Sequence, residues 1–199
     1  MKINKLRNKE HQIINGALEI KPEIFSDDRG YFYETWNEKD FKNNINSDTS
    51  FVQDNQSFSE RGTLRGLHYQ LNPMAQGKLV RVTKGSVFDV IVDLRENSKT
   101  FKSWTSLILN CQDKNQIWIP KGFAHGFLTL SQEAIVEYKV TNFWEKNLER
   151  TILWNDSTIS IEWPRMDNNI VKPNLSSKDM NGLTLQSLIN KGEVFDEKN

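Results

Sequence analysis

The chain has a single cysteine, Cys111, in 199 residues. An intrachain disulfide is therefore excluded, and so is a zinc site built on several thiolates. No excess charge of one sign exists either: 26 Lys and Arg balance 26 Asp and Glu, and the pI is about 6.8. That balance gives no support to nonspecific nucleic-acid binding, which relies on concentrated positive charge. No apolar run is long enough for a membrane helix. The opening Met1-Lys2-Ile3-Asn4-Lys5-Leu6-Arg7 lacks the apolar stretch of a signal peptide, so a cytoplasmic location is expected. No phosphate loop or dinucleotide fingerprint occurs, and the length suits one domain over 1–199.

What is present reads as strands. Short apolar or aromatic segments alternate with turn residues, which predicts an all-β domain of two packed antiparallel sheets. Strands are expected at Lys78 to Lys84, Ser86 to Leu94, Phe101 to Leu109, Gln116 to Pro120, Gly126 to Leu130 and Ala134 to Thr141. Gly85 joins the first two. Val80 and Val82, or Val90 and Val92, have the two-residue period of one buried sheet face. Phe32-Tyr33-Glu34 follows the turn signal Asp27-Asp28-Arg29-Gly30, and Trp36 to Asn43 predicts a short helix. Near the end, Ser176-Ser177-Lys178-Asp179 forms a capping box. Leu183, Leu185, Leu188 and Ile189 then give the helix that follows this cap one apolar side, and Gly192 stops it.

The chemistry concentrates in Arg65-Gly66-Leu67-His68-Tyr69-Gln70 and Gly77-Lys78-Leu79-Val80-Arg81-Val82. On hairpin strands these would put a histidine and a lysine against one pocket. Only three histidines occur in the chain. A scarce group that titrates near neutral pH, beside fixed cations, points to proton abstraction from an anionic substrate.

Longer motifs keep company with these. They include Asp28-Arg29-Gly30-Tyr31-Phe32, Phe51-Val52-Gln53-Asp54-Asn55, Val87-Phe88-Asp89-Val90, Trp118 through Phe127, Tyr138-Lys139-Val140-Thr141, Trp154-Asn155-Asp156 and Leu175 through Asp179. In this order and spacing, from about Ile20 to about Leu185, the sequence resembles the dTDP-4-dehydrorhamnose 3,5-epimerase family of the cupin superfamily. The resemblance implies a cupin jelly roll with short peripheral helices, a homodimer, and a dTDP-linked 4-keto-6-deoxyhexose as substrate.

A hydrogen on carbon beside a ketone is acidic because the charge left behind moves onto the carbonyl oxygen. Such a substrate needs a base at carbon, a cation at that oxygen, and an acid on the opposite face. His68 suits the base, with an ordinary pKa of about 6.5. Lys78 supplies a charged donor to the enolate. Tyr138, with an ordinary pKa of about 10, stays protonated and serves as the acid. The resemblance makes Asp179 the carboxylate that pairs with His68. From the residues alone, helix capping is an equal reading of Asp179, and Asp156 is a weaker substitute in the pairing.

By the same resemblance His125 lies near the reacting sugar. Arg29, Arg65 and Lys178 would contact the nucleotide portion, with Glu34, Gln53, Asn55 and Glu149 as polar partners. Arginine's planar fork suits a diphosphate. Trp144 stands where the family commonly stacks a tyrosine on thymine, and Gln56 replaces a histidine frequent after Gln-Asp-Asn. These departures keep a single-centre epimerase acting at C3 or C5, or a CDP-linked sugar, as an alternative. A cupin carbohydrate-binding protein without turnover is another. His11, His68 and His125 are too dispersed for a good three-ligand metal site, so a domain without metal or cofactor is expected.

Overall fold

The computed structural model describes residues 1–165 and 172–196. Thirteen strands and three short helices follow one another along them. The first part runs β1 (Lys2–Arg7), β2 (Ile13–Lys21), β3 (Phe25–Asp27), β4 (Gly30–Phe32), α1 (Glu38–Asn44), β5 (Gln53–Glu60), β6 (Leu64–Gln70) and β7 (Lys78–Lys84). The second runs β8 (Ser86–Asp93), β9 (Trp104–Asn110), β10 (Gln116–Ile119), β11 (Phe123–Thr129), β12 (Glu133–Val140), β13 (Glu149–Thr151), α2 (Ser177–Met180) and α3 (Leu185–Asn190).

Two antiparallel sheets face each other, in the order β1-β2-β10-β7-β12-β5 and β13-β6-β11-β8-β9, while β3 and β4 form a separate hairpin. This is the cupin jelly roll expected from the sequence. Between the sheets lies a core of Val80, Val82, Val87, Ile91, Ile117, Phe127 and Val136, from strands of both. A second core covers the other side of the five-stranded sheet, where Val90 and Val92 meet Ile152, Leu185 and Leu188. Strand β8 is thus buried on both faces, because the C-terminal helices cover the side that would otherwise meet water.

Three local expectations are corrected. His68 and Lys78 do not lie on two strands of a hairpin: β6 and β7 belong to opposite sheets. The segment from Leu183 to Ile189 is not continuous helix. Gly182 packs tightly on the Ile152–Leu153 backbone, and α3 starts afresh when the Thr184 side chain accepts from Ser187 N–H. The strand expected from Phe101 begins only at Trp104, since the preceding loop wraps Asp93: Arg95, Ser98 and Thr100 all donate to its carboxylate.

Strands β7, β8, β10 and β12 fall within a residue of expectation, β11 starts three residues earlier than expected, and β1, β2, β5 and β13 were not anticipated as strands. Helix α1 is capped by Asn37, which accepts from Asp40 N–H. Gly85 carries the chain from one sheet to the other at φ 74°, and a Cβ there would lie 2.0 Å from Glu133 O. No helix among the described residues is long and apolar enough to cross a membrane.

Candidate active site

Between the sheets opens a cavity of about 450 Å³, lined by His68, Lys78, His125, Tyr138, Glu149 and Lys178 among others. The local structure of β6 explains how His68 comes to face it. Residues three apart on a regular strand point to opposite faces, yet both Arg65 and His68 line the cavity. One extra residue in β6 solves this: His125 pairs with His68 but Phe127 pairs with Arg65. The bulge sits at Gly66, whose φ is 119°, and where a Cβ would lie 2.6 Å from Gly126 Cα and 2.8 Å from His125 O. Only glycine fits there.

His68 Nε2 lies 2.5 Å from Asp179 Oδ1, which leaves Nδ1 as the ring nitrogen free for a ligand. Asp179 is also the third residue of α2, which Ser176 caps. Its N–H donates to Ser176 Oγ, and that hydroxyl donates back to Oδ2 at 2.7 Å. Asp179 therefore takes part in both the pairing and the cap, through its carboxylate on His68 and its backbone N–H on Ser176. Burial alone would raise its pKa, but the bonds from His68, Ser176 and the Gly66 amide outweigh this and hold it below the usual carboxylate range. Asp156 lies elsewhere, accepting from the backbone N–H groups of Thr158, Ile159 and Leu185.

Burial pushes the His68 pKa below 6.5, and the Lys178 and Lys78 charges add to this, while Asp179 opposes it. The ring is consequently neutral at pH 7 and able to accept a proton. Lys78 is almost fully buried, and loss of hydration brings it down to about 8, with Glu149 and Asp89 holding it from falling further. Tyr138 is pushed up by burial and then by Glu149, so its phenol stays protonated. His68 stands on the five-stranded sheet, and Lys78 and Tyr138 stand on the six-stranded one.

The inward face of β5 supplies Gln53, Asn55 and Ser57 at the two-residue period. Gln53 donates to Asn55 Oδ1 at 2.7 Å and accepts from Trp144 N–H at 3.2 Å. Trp144 is 54% exposed at the cavity mouth, where Lys178 and Glu149 form an ion pair at 3.0 Å. Arg65 donates to Ser59 Oγ and Phe58 O.

Two expected contacts are not brought to this cavity. Arg29 projects from the β3–β4 hairpin, paired with Asp27, and Glu34 hydrogen-bonds Asn37 beside a different concavity. Four lining residues were missed in the sequence: Ser57, Gln76, Gly126 and Phe127. Ser57 had a signal, because it continues the period of Gln53 and Asn55. Gln76 had none, since its place depends on a bond to Asn142 O, 66 residues further along the chain. Among the described residues no three His, Cys, Asp or Glu side chains converge as a metal-ligand group.

Fold and site together define a cupin-type protein with a histidine–aspartate pair, a buried lysine and a tyrosine around one interior cavity. The comparison with known proteins narrows this. The family model described as dTDP-4-dehydrorhamnose 3,5-epimerase matches residues 11–187, and the chain belongs to that family. The enzyme of that name from Shigella flexneri is 52% identical over 169 residues, which is 85% of this chain and 91% of the relative. A solved dTDP-6-deoxy-D-glucose-3,5-epimerase from Legionella pneumophila, in complex with dTDP-4-keto-L-rhamnose, superposes with a TM-score of 0.88. It is 39% identical and is covered fully in both directions. ChmJ, a 3'-monoepimerase from Streptomyces bikiniensis in complex with dTDP-quinovose, gives a TM-score of 0.85 at 30% identity, covering 92% of this chain and 90% of that one.

Proposed function

We propose that the protein converts dTDP-4-dehydro-6-deoxy-D-glucose to dTDP-4-dehydro-L-rhamnose by inverting C3 and C5 through enolates. The observation that carries this reading is the placement of base and acid on opposite walls of one cavity, with His68 on one sheet and Tyr138 on the other. Neutral His68 takes the proton from carbon beside the C4 ketone, and the electron pair left behind moves onto the carbonyl oxygen. Lys78 donates to that oxygen as its charge grows. Tyr138 gives its proton to the other face of the carbon, inverting it. The imidazolium and phenolate then exchange a proton through solvent before the second centre reacts. The protons balance over each inversion once solvent has reset the two side chains, with no cofactor in any step.

Trp144 suits stacking on the base, and Lys178 and Arg65 suit the diphosphate. A homodimer belongs to the reading. Phe25, Tyr31 and Phe32 stand exposed on the β3–β4 hairpin, the last at 65%. A second copy covering them would also decide whether Arg29 and Glu34 reach a ligand.

Similarity to ChmJ favours testing a second reading, inversion at C3 alone. Incubation of the protein with the ketosugar in deuterated water, read separately at C3 and C5, separates the two. The 3,5-epimerase reading expects deuterium and inversion at both carbons. Inversion confined to C3 supports the second reading, inversion confined to C5 contradicts both, and so does exchange at neither.

A further inference from the structure

Asp89 is a buried carboxylate that so far has only helped to keep Lys78 charged, at a distance and without a hydrogen bond to it. It is wholly inaccessible, and it faces inward from β8 on the same side of the sheet as Ile91, His125 and Phe127. Oδ2 lies 2.8 Å from His125 Nε2, while Oδ1 has no hydrogen-bond partner. Asp93, four residues along the same strand, shows what a structural carboxylate looks like here: Arg95, Ser98 and Thr100 satisfy both of its oxygens. A buried carboxylate with one oxygen unmatched stabilises a fold less than an apolar residue of similar shape. Its presence calls for another role.

His125 supplies one. It stands directly opposite His68 across β11 and β6, and it lines the cavity. We propose that Asp89 is a positioning residue that keeps the His125 proton on Nε2, so that Nδ1 meets the sugar as an unprotonated acceptor for a ring hydroxyl beside the reacting carbon. The site then holds two His–Asp pairs side by side, each using Nε2 for its carboxylate and Nδ1 for the ligand. His68 takes a proton from carbon, whereas His125 accepts a hydrogen bond and orients the ring. The hydroxyl role rests on the epimerase reading; the tautomer does not.

The experiment is nitrogen NMR of the ring tautomers in the full chain. His11, His68 and His125 are its only histidines, and His125→Asn assigns the signal. Wild-type His125 is expected as the Nε2–H form at pH 7. The Nδ1–H form or an imidazolium there would overturn the proposal, whatever the variants do. Asp89→Leu removes the acceptor but keeps the bulk. It is expected to fold, to move His125 to the Nδ1–H form, and to lower kcat/KM by ~10-fold to ~100-fold, mainly through KM. Asp89→Asn, whose carbonyl can accept from Nε2–H, is expected to recover much of both. An unchanged tautomer in Asp89→Leu, or a changed tautomer with unchanged KM, would contradict the assignment. Absence of epimerase activity in wild type would remove the activity reading and leave the tautomer result standing.

Discussion

Lys78 is where activity and stability are set against each other. Its burial lowers the ammonium pKa from an ordinary 10.5 to about 8. In the unfolded chain it would titrate near 10.5, so holding the charge inside costs folding free energy wherever both states are protonated. At about 1.36 kcal/mol per pH unit, the gap between the two values corresponds to about 3 kcal/mol. The cost is fully present below about pH 8 and disappears between there and 10.5, because over that interval the unfolded chain binds the proton and the folded one does not. Lys78→Met keeps most of the bulk and removes the charge. At pH 7 it is expected to melt about 6 to 12 °C higher than wild type, at ~2–4 °C per kcal/mol for a chain of this size. Turnover is expected to fall by ~100-fold to ~1000-fold with the enolate's charged donor gone. Thermal unfolding by circular dichroism from pH 7 to 10.5, beside turnover at pH 7, reads both. A variant that melts below wild type at pH 7, or a difference that does not shrink as pH rises past 8, would refute the reasoning.

Three further outcomes follow from the geometry. The pH profile of kcat/KM is expected to be bell-shaped, rising as His68 loses its proton below 6.5 and falling as Lys78 does so near 8; no rise between pH 4 and 6.5 would contradict the first assignment, and no fall between 7 and 9 the second. Asp179→Asn is expected to cost at least ~10-fold in kcat and to move the acid limb lower, since Asp179 raises the His68 pKa; initial rates from pH 4 to 7 check the direction. Gly66→Ala places a Cβ within 2.6 Å of Gly126 Cα at a positive φ, so a melting temperature well below wild type is expected, by more than ~3 kcal/mol of lost stability.

Much of the fold was readable because period-two burial and local chemistry coincide. The strands at Lys78–Lys84 and Gln116–Ile119, the helix after Asn37 and the Ser176 cap all announce themselves within a few residues. Sheet membership does not. Nothing near Gly85 says whether the chain turns back on itself or crosses to the facing sheet; contact with Glu133 and Ser131, far along the chain, decides it. The covered outer face of β8 was invisible for the same reason, since its partners are Leu185 and Leu188. In the site, His68, Lys78, Tyr138 and Asp179 were named from motifs, and the first three share the lining of one cavity, with Asp179 bonded to His68. Arg29 and Glu34 were named on the same grounds, yet lie outside it, because a motif carries no information about which cavity its residues serve. Asp89 carried a signal that went unused, a lone charge inside the apolar run Val87-Phe88-Asp89-Val90-Ile91.

The central claim is that His68 removes the proton and Tyr138 returns one from the other wall. Solvent deuterium uptake and product stereochemistry, measured together for His68→Asn and Tyr138→Phe, test it most directly. His68→Asn is expected to abolish exchange at C3 and C5, since no enolate forms without the base. Tyr138→Phe is expected to bind substrate and retain some exchange, as His68 returns the proton to the face it left, while inversion falls by ~100-fold to ~10,000-fold. Near-native exchange in His68→Asn, or near-native inversion in Tyr138→Phe, would contradict the account.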